Sequence, residues 1–144
     1  MGKNSEEKNI DIRNLVKAVS LTSEMANHIG ILADRLIAYL IVVSEVTQKP
    51  LASIGYSFQM AFDRMANIEI EDLKNICNDL NVSNDDFGKV LDSIAARWKN
   101  YTPLQQTEIC NAFADIRHVG DLRVLMENYE TVIQYLDLKE VEAK

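Results

Sequence analysis

Glycine and proline are scarce in this chain, five and two respectively in 144 residues. A sheet protein with many tight turns needs more of both, so the composition leans helical before any pattern is read. Cysteine is scarce too. Cys77 and Cys110 belong to no CxxC or Cys/His ligand spacing. Each falls on the apolar side of a predicted helix, which points to two buried free thiols. Only two histidines occur, His28 and His118, and neither has a second histidine or cysteine three or four positions on. Long apolar runs are missing: the longest charge-free one, Leu36 to Val43, is well short of the ~20 residues that span a bilayer. Positive charge is in deficit, with 15 Lys+Arg against 22 Asp+Glu and a net charge of −7. Such a surface repels phosphate, which argues against nucleic acid or an anionic membrane as partner.

What is present is ordinary globular material, 47% hydrophobic and 26% charged. The length suits one domain. We expect a single helical domain over residues 10–138, with a frayed polar N-terminus (1–9) and a frayed charged C-terminus (139–144). Apolar residues recur at Ile12, Leu15, Val16 and Val19, a helical spacing that places Arg13 and Lys17 on the wet side. Gly30 is a plausible stop. Ile31 to Gln48 is apolar nearly all round, so it reads as a central helix wrapped by others. Pro50 ends it and starts the next, whose stripe is Leu51, Ile54, Phe58, Phe62 and Met65. Glu71 to Leu80 presents Leu73, Ile76, Cys77 and Leu80. The following helix carries Phe87, Val90, Leu91, Ile94 and Trp98. Thr102-Pro-Leu-Gln105 is a capping box that opens a helix through Ile109, Phe113 and Ile116. Asp121 is placed to cap a final helix bearing Leu122, Leu125, Met126, Tyr129, Val132, Ile133 and Leu136. The expected fold is all-α, a compact domain of six to seven helices with short loops.

Chemistry-bearing motifs are absent: the sequence holds no GxSxG, P-loop or dinucleotide fingerprint. The turn from Asp79 to Asp85 superficially matches a calcium loop, but its sixth and twelfth positions are Asn84 and Val90, not glycine and glutamate. A helix-turn-helix around Arg117-His-Val-Gly120 would have a recognition helix offering only Arg123, followed by Glu127 and Glu130. We therefore expect no enzyme, cofactor or metal. Residues 68–92 hold seven acids against Lys74 and Lys89. That segment is either a solvated face or a docking surface for a basic partner.

Several blocks together resemble the core of phage tail tape measure proteins. They are Ser44-Glu45-Val46-Thr47 closing one helix, Gly55 and Phe58 in an Ile-Gly-x-Ser-Phe run, and Arg64-Met65 closing the next helix. Val90 to Trp98, a Gln-Gln helix, Arg117, and then Leu125-Met126-Glu127-Asn128-Tyr129 follow in that family's order and spacing. The likeness runs over about residues 29–133. It departs at Asn81 to Asp86, where the family has a longer glycine-containing insertion, and at Asp115, where glycine is common.

The resemblance implies a non-enzymatic protein acting through contacts with tail chaperone, tail tube or tape measure proteins, or with its own copies. The setting would be the host bacterial cytoplasm or the virion tail. Even as one continuous helix, 144 residues reach only about 216 Å, so the chain is no whole ruler. The Met start and charged end favour a free-standing product over an excised domain. A second expectation is therefore a prophage or satellite decoy that blocks tail assembly of competing phages. A third, resting on charge alone, is an acidic inhibitor of a nucleic-acid-handling enzyme. Arg117 is expected to bond carbonyls at a helix junction or to pair with Asp121; the alternative is a partner contact.

Overall fold

Every regular element is a helix among the residues that the computed structural model describes: 12–67, 71–82, 86–114 and 118–143. Eight α-helices follow in order: α1 (Ile12–His28), α2 (Ala33–Thr47), α3 (Leu51–Met65), α4 (Glu71–Leu80), α5 (Phe87–Arg97), α6 (Pro103–Phe113), α7 (Val119–Glu127) and α8 (Tyr129–Ala143). A 3₁₀ turn, Trp98–Asn100, extends α5. The all-α expectation holds, with one helix more than its upper count.

The local signals explain most boundaries. Gly30 takes φ 90°, a conformation open to glycine at little steric cost, and α1 stops at His28 just before it. Pro50 is the residue immediately before α3, its carbonyl accepting from the Ser53 and Ile54 N–H groups. Thr102 and Gln105 form both hydrogen bonds of the capping box, and Pro103 occupies the first position of α6.

Central helix α2 buries an unbroken run from Ala38 to Ser44 together with Leu36. It packs on α1, α3, α7 and α8, so the middle of the helix has no side left for water, while Asp34, Glu45 and Val46 near its ends stay exposed. The stripes of α3 and α5 are buried throughout, and Trp98 sits beneath the surface at the end of the latter. Cys77 and Cys110 are buried free thiols, and burial pushes both upward in pKa, Cys110 to about 11.

Four details differ from expectation. The last long stripe is not one helix. It breaks at Asn128, whose N–H is shared between the Val124 and Leu125 carbonyls while its side-chain amide donates to Val124 O at 2.8 Å. Helix α8 then runs on to Ala143, past residue 138 where the sequence suggests the domain ends. Asp121 does not cap: His118 precedes α7, and Asp121 lies inside its first turn, buried, with Lys49 Nζ 2.9 Å from its Oδ1. The face that α1 turns inward is only half of its expected stripe: Leu15 and Val19 pack against the core, part-buried. Ile12 and Val16 are exposed, while Ala18, Thr22 and Ala26 are buried. Small residues win there because α3 comes close, as Gly55 shows: a Cβ on it would lie 3.2 Å from Ala18 Cβ.

A second close approach ties α5 to the α1–α2 turn. Phe87 N–H donates to Ile29 O at 2.7 Å, and a Cβ on Gly88 would fall 2.9 Å from the Gly30 carbonyl oxygen. Backbone must move to admit it. Gly88→Ala is therefore expected to cost about 1–3 kcal/mol. Gly120→Ala, where a Cβ meets nothing within 4 Å, is expected to be neutral or stabilising by up to about 1 kcal/mol. Urea unfolding of the two variants checks the contrast, and equal effects would contradict it.

Candidate functional site

The residues of the resembling blocks divide between core and surface. Gly55, Phe58, Met65, Trp98, Leu125, Met126 and Tyr129 are buried. Ser44 and Thr47 shape the turn after α2. Ser44 Oγ donates to Lys49 O at 2.9 Å, and Thr47 Oγ1 donates to Val43 O at 2.7 Å while accepting from Lys49 N–H. Gln48 can then take the left-handed φ of 61° that reverses the chain. Arg64 Nε donates to Ala112 O at 2.7 Å, satisfying a carbonyl in the last turn of α6. Glu45, Val46 and Glu127 are exposed, Glu127 lying 3.8 Å from Arg123. Arg117 lies outside the described residues, as do Asp115 and Ile116.

Tyr129 is also one corner of a polar cluster joining α2, α5 and α8. Its hydroxyl donates to Asp92 Oδ1 at 2.5 Å and accepts from Arg35 Nη1 at 2.9 Å. Arg35 Nη1 also donates to Asp92 Oδ1. Since the Tyr129 proton is committed to Asp92, Tyr39 is the donor in the 2.7 Å contact between the two hydroxyls. Burial pushes the Tyr39 phenol up to about 12 and, with Tyr39 and Asp92 adding to it, drives Tyr129 higher still. Burial alone works against charge on Arg35, but Tyr39, Tyr129 and Asp92 outweigh it and raise its pKa. Both phenols are thus neutral at physiological pH. The cluster is a clamp that ties α2, α5 and α8 together.

Of its four members only Tyr129 is visible in the sequence, and then only as part of a block. Arg35 and Tyr39 stand four apart on α2, so they share a face. A charged residue with a phenol one turn on, inside an otherwise apolar helix, is the signal that could have found them. Asp92 has none, being 57 positions from its partner.

Two of the clefts among the described residues are candidate ligand sites. One, of about 510 Å³, borders the clamp and is lined by Gly30, Leu32, Arg35, Asp86, Gly88, Lys89 and Asp92. Its charges are paired off internally, Arg35 with Asp92 and Lys89 with Asp86 at 3.9 Å, which leaves little field for a ligand. The other, of about 440 Å³, lies between α4 and α6 with Arg97 and Tyr101 alongside. Helix α4 contributes Asp72, Asn75, Ile76, Asp79 and Leu80; α6 contributes Gln105, Glu108, Ile109 and Ala112. Both sets follow the spacing of a single helix face. The result is a trough with an apolar floor and mostly acidic edges.

Elsewhere, Arg123 is engaged: it donates to Gln106 Oε1 and Thr107 Oγ1 and lies 5.8 Å over the Trp98 ring. Among the described residues no group of three or more His, Cys, Asp or Glu could hold a metal ion, and no helix is long and apolar enough to cross a membrane.

No family model, curated protein or solved structure matches this chain.

Proposed function

We propose that the chain is a non-enzymatic helical protein that acts through protein–protein contacts in phage tail assembly. One observation carries the reading. The blocks that resemble the tape measure core are far apart in sequence, yet Phe58, Met65, Trp98, Leu125, Met126 and Tyr129 belong to one hydrophobic cluster. Residues that share a core are those whose order and spacing a fold constrains most, so the likeness is of a folded unit. The neutral phenols of the clamp and the paired charges beside it agree with a role in holding helices together. The partners are tail chaperone, tail tube or tape measure proteins, met in the bacterial cytoplasm or in the virion tail.

A second reading is favoured by helix length. The longest described helix has 17 residues, about 25 Å, and every helix depends on others for burial. This folded unit spans nothing. A decoy that occupies a tape measure's partners needs no span, only a shared surface and sufficient concentration.

Expressing the chain in cells infected by a phage with a matching tape measure separates the two readings. A decoy gives filled heads without tails and at least a tenfold fall in titre. Phages whose tape measures lack blocks like Ser44–Thr47 and Leu125–Asn128 are unaffected. Normal tails with the chain present in purified virions identify an assembly component. Normal tails and no association with any tail protein reject both.

A further inference from the structure

The trough between α4 and α6 has features that neither the clamp nor the resembling blocks use. Its floor is apolar: Leu80 and Ala112 are buried, while Ile76 and Ile109 are only half-covered. Half-covered isoleucines side by side on two helices are sites where added apolar contact is gained at little cost in rearrangement. Its edges carry Asp72 and Asp79 on α4 and Glu108 on α6, all exposed, against the single basic residue Arg97. Among the described residues no ion pair involves any of these four. The acids are therefore available to a partner.

We infer that this trough docks a short amphipathic helix from a partner protein, with one apolar face and lysine or arginine along both its edges. Shape and charge choose that class. The walls are helices of 10 and 11 residues, about 15–17 Å long, which matches a guest of about three turns. A helix laid between them presents residues at i, i+3, i+4 and i+7 to the floor, the usual helix-in-groove arrangement. The flanking positions then meet Asp72 and Asp79 on one side and Glu108 on the other. An extended peptide finds no exposed sheet edge to pair with here, and nucleic acid or an anionic lipid surface meets three carboxylates against one guanidinium. Charge across such a rim governs encounter rate and partner choice more than total affinity. Resting on the contact reading above, the inference adds the chemistry of the partner.

A displayed library of random 14-residue peptides, panned on the full chain, tests it without knowing the partner. The expected winners carry apolar residues at helical spacing flanked by Lys or Arg. Such a peptide should bind Asp79→Lys/Glu108→Lys at least tenfold more weakly, while its Lys/Arg→Glu counterpart gains on that variant. Both substituted residues are exposed, so an unchanged far-ultraviolet spectrum and urea midpoint keep the comparison about binding. Winners of other chemistry, or binding indifferent to the reversal, would overturn the inference. So would concentration-dependent self-association abolished by the same reversal, since the trough would then belong to a second copy. Purified chain and peptides suffice, so the trough can fail while the tail-assembly reading stands, and the reverse.

Discussion

Leu125→Ala should lower the unfolding free energy by about 3–5 kcal/mol, and Trp98→Ala by a similar amount. Leu125 is fully buried on α7, a nine-residue helix that packs on α2, α3, α5, α6 and α8. A cavity hemmed in from so many sides has little room to collapse. The cost therefore belongs in the upper part of the range for leucine truncation. Trp98 is 6% exposed, packs edge-on against Tyr101 at 6.4 Å, and carries Arg123 over its face. Its removal opens a hole and strips Arg123 of its stacking partner. Ile133, at 37% exposure on α8, serves as the control and should cost under about 1 kcal/mol when truncated. Urea unfolding followed by circular dichroism gives all three values. A loss below 1 kcal/mol at Leu125 or Trp98 would mean that the residue is not part of the core.

The clamp should make the fold sensitive to alkali. Tyr39 has its pKa raised to about 12 by burial, from an ordinary value near 10. Below pH 10 both the folded and the unfolded chain keep the phenol proton, and stability does not depend on pH through this group. Above pH 10 the unfolded chain ionises first, so stability falls until the folded phenol also titrates. Two pKa units correspond to roughly 3 kcal/mol, lost between about pH 10 and pH 12. The Tyr129 phenol, shifted in the same direction, steepens the loss. Tyr39→Phe is expected to cost about 1 kcal/mol at pH 7, where only one hydrogen bond is missing, yet to be less sensitive than the natural chain above pH 10. Unfolding midpoints measured from pH 8 to 12 on both proteins decide the matter. Parallel curves would show that the Tyr39 hydroxyl is not held in a dry site.

Local signals were legible and tertiary ones were not, and particular residues show why. Thr102 and Gln105 satisfy each other's backbone within four positions, so nothing outside that segment is needed to foresee the cap. The stripes of α3 and α5 could be read because those helices bury large residues on one side. Helix α1 buries Ala18, Thr22 and Ala26 against Gly55 instead. A pattern weighted by hydrophobic size selects Ile12 and Val16, which lie on the wrong side, along with Leu15 and Val19, which reach the edge of the core. The break at Asn128 is hidden for another reason. Leu125, Tyr129 and Val132 continue the helical period across it and all remain buried, so the stripe carries no trace of the interruption. Asp121 has the right chemistry for a cap, but its carboxylate is claimed by Lys49, 72 positions away. The trough was half visible: the acids at 72 and 79 stand out as charge, while its floor exists only once α4 and α6 lie side by side.

Competition for a tail partner tests the central claim most directly. A labelled fragment holding the corresponding region of a full-length tape measure is bound to its purified tail chaperone or tube protein, and the unlabelled chain is titrated in. A shared contact surface predicts complete displacement, with half-displacement at a concentration comparable to that of the unlabelled fragment itself. The Leu125→Ala variant should displace only in proportion to its folded fraction. No displacement by a hundredfold excess of folded chain would contradict the account.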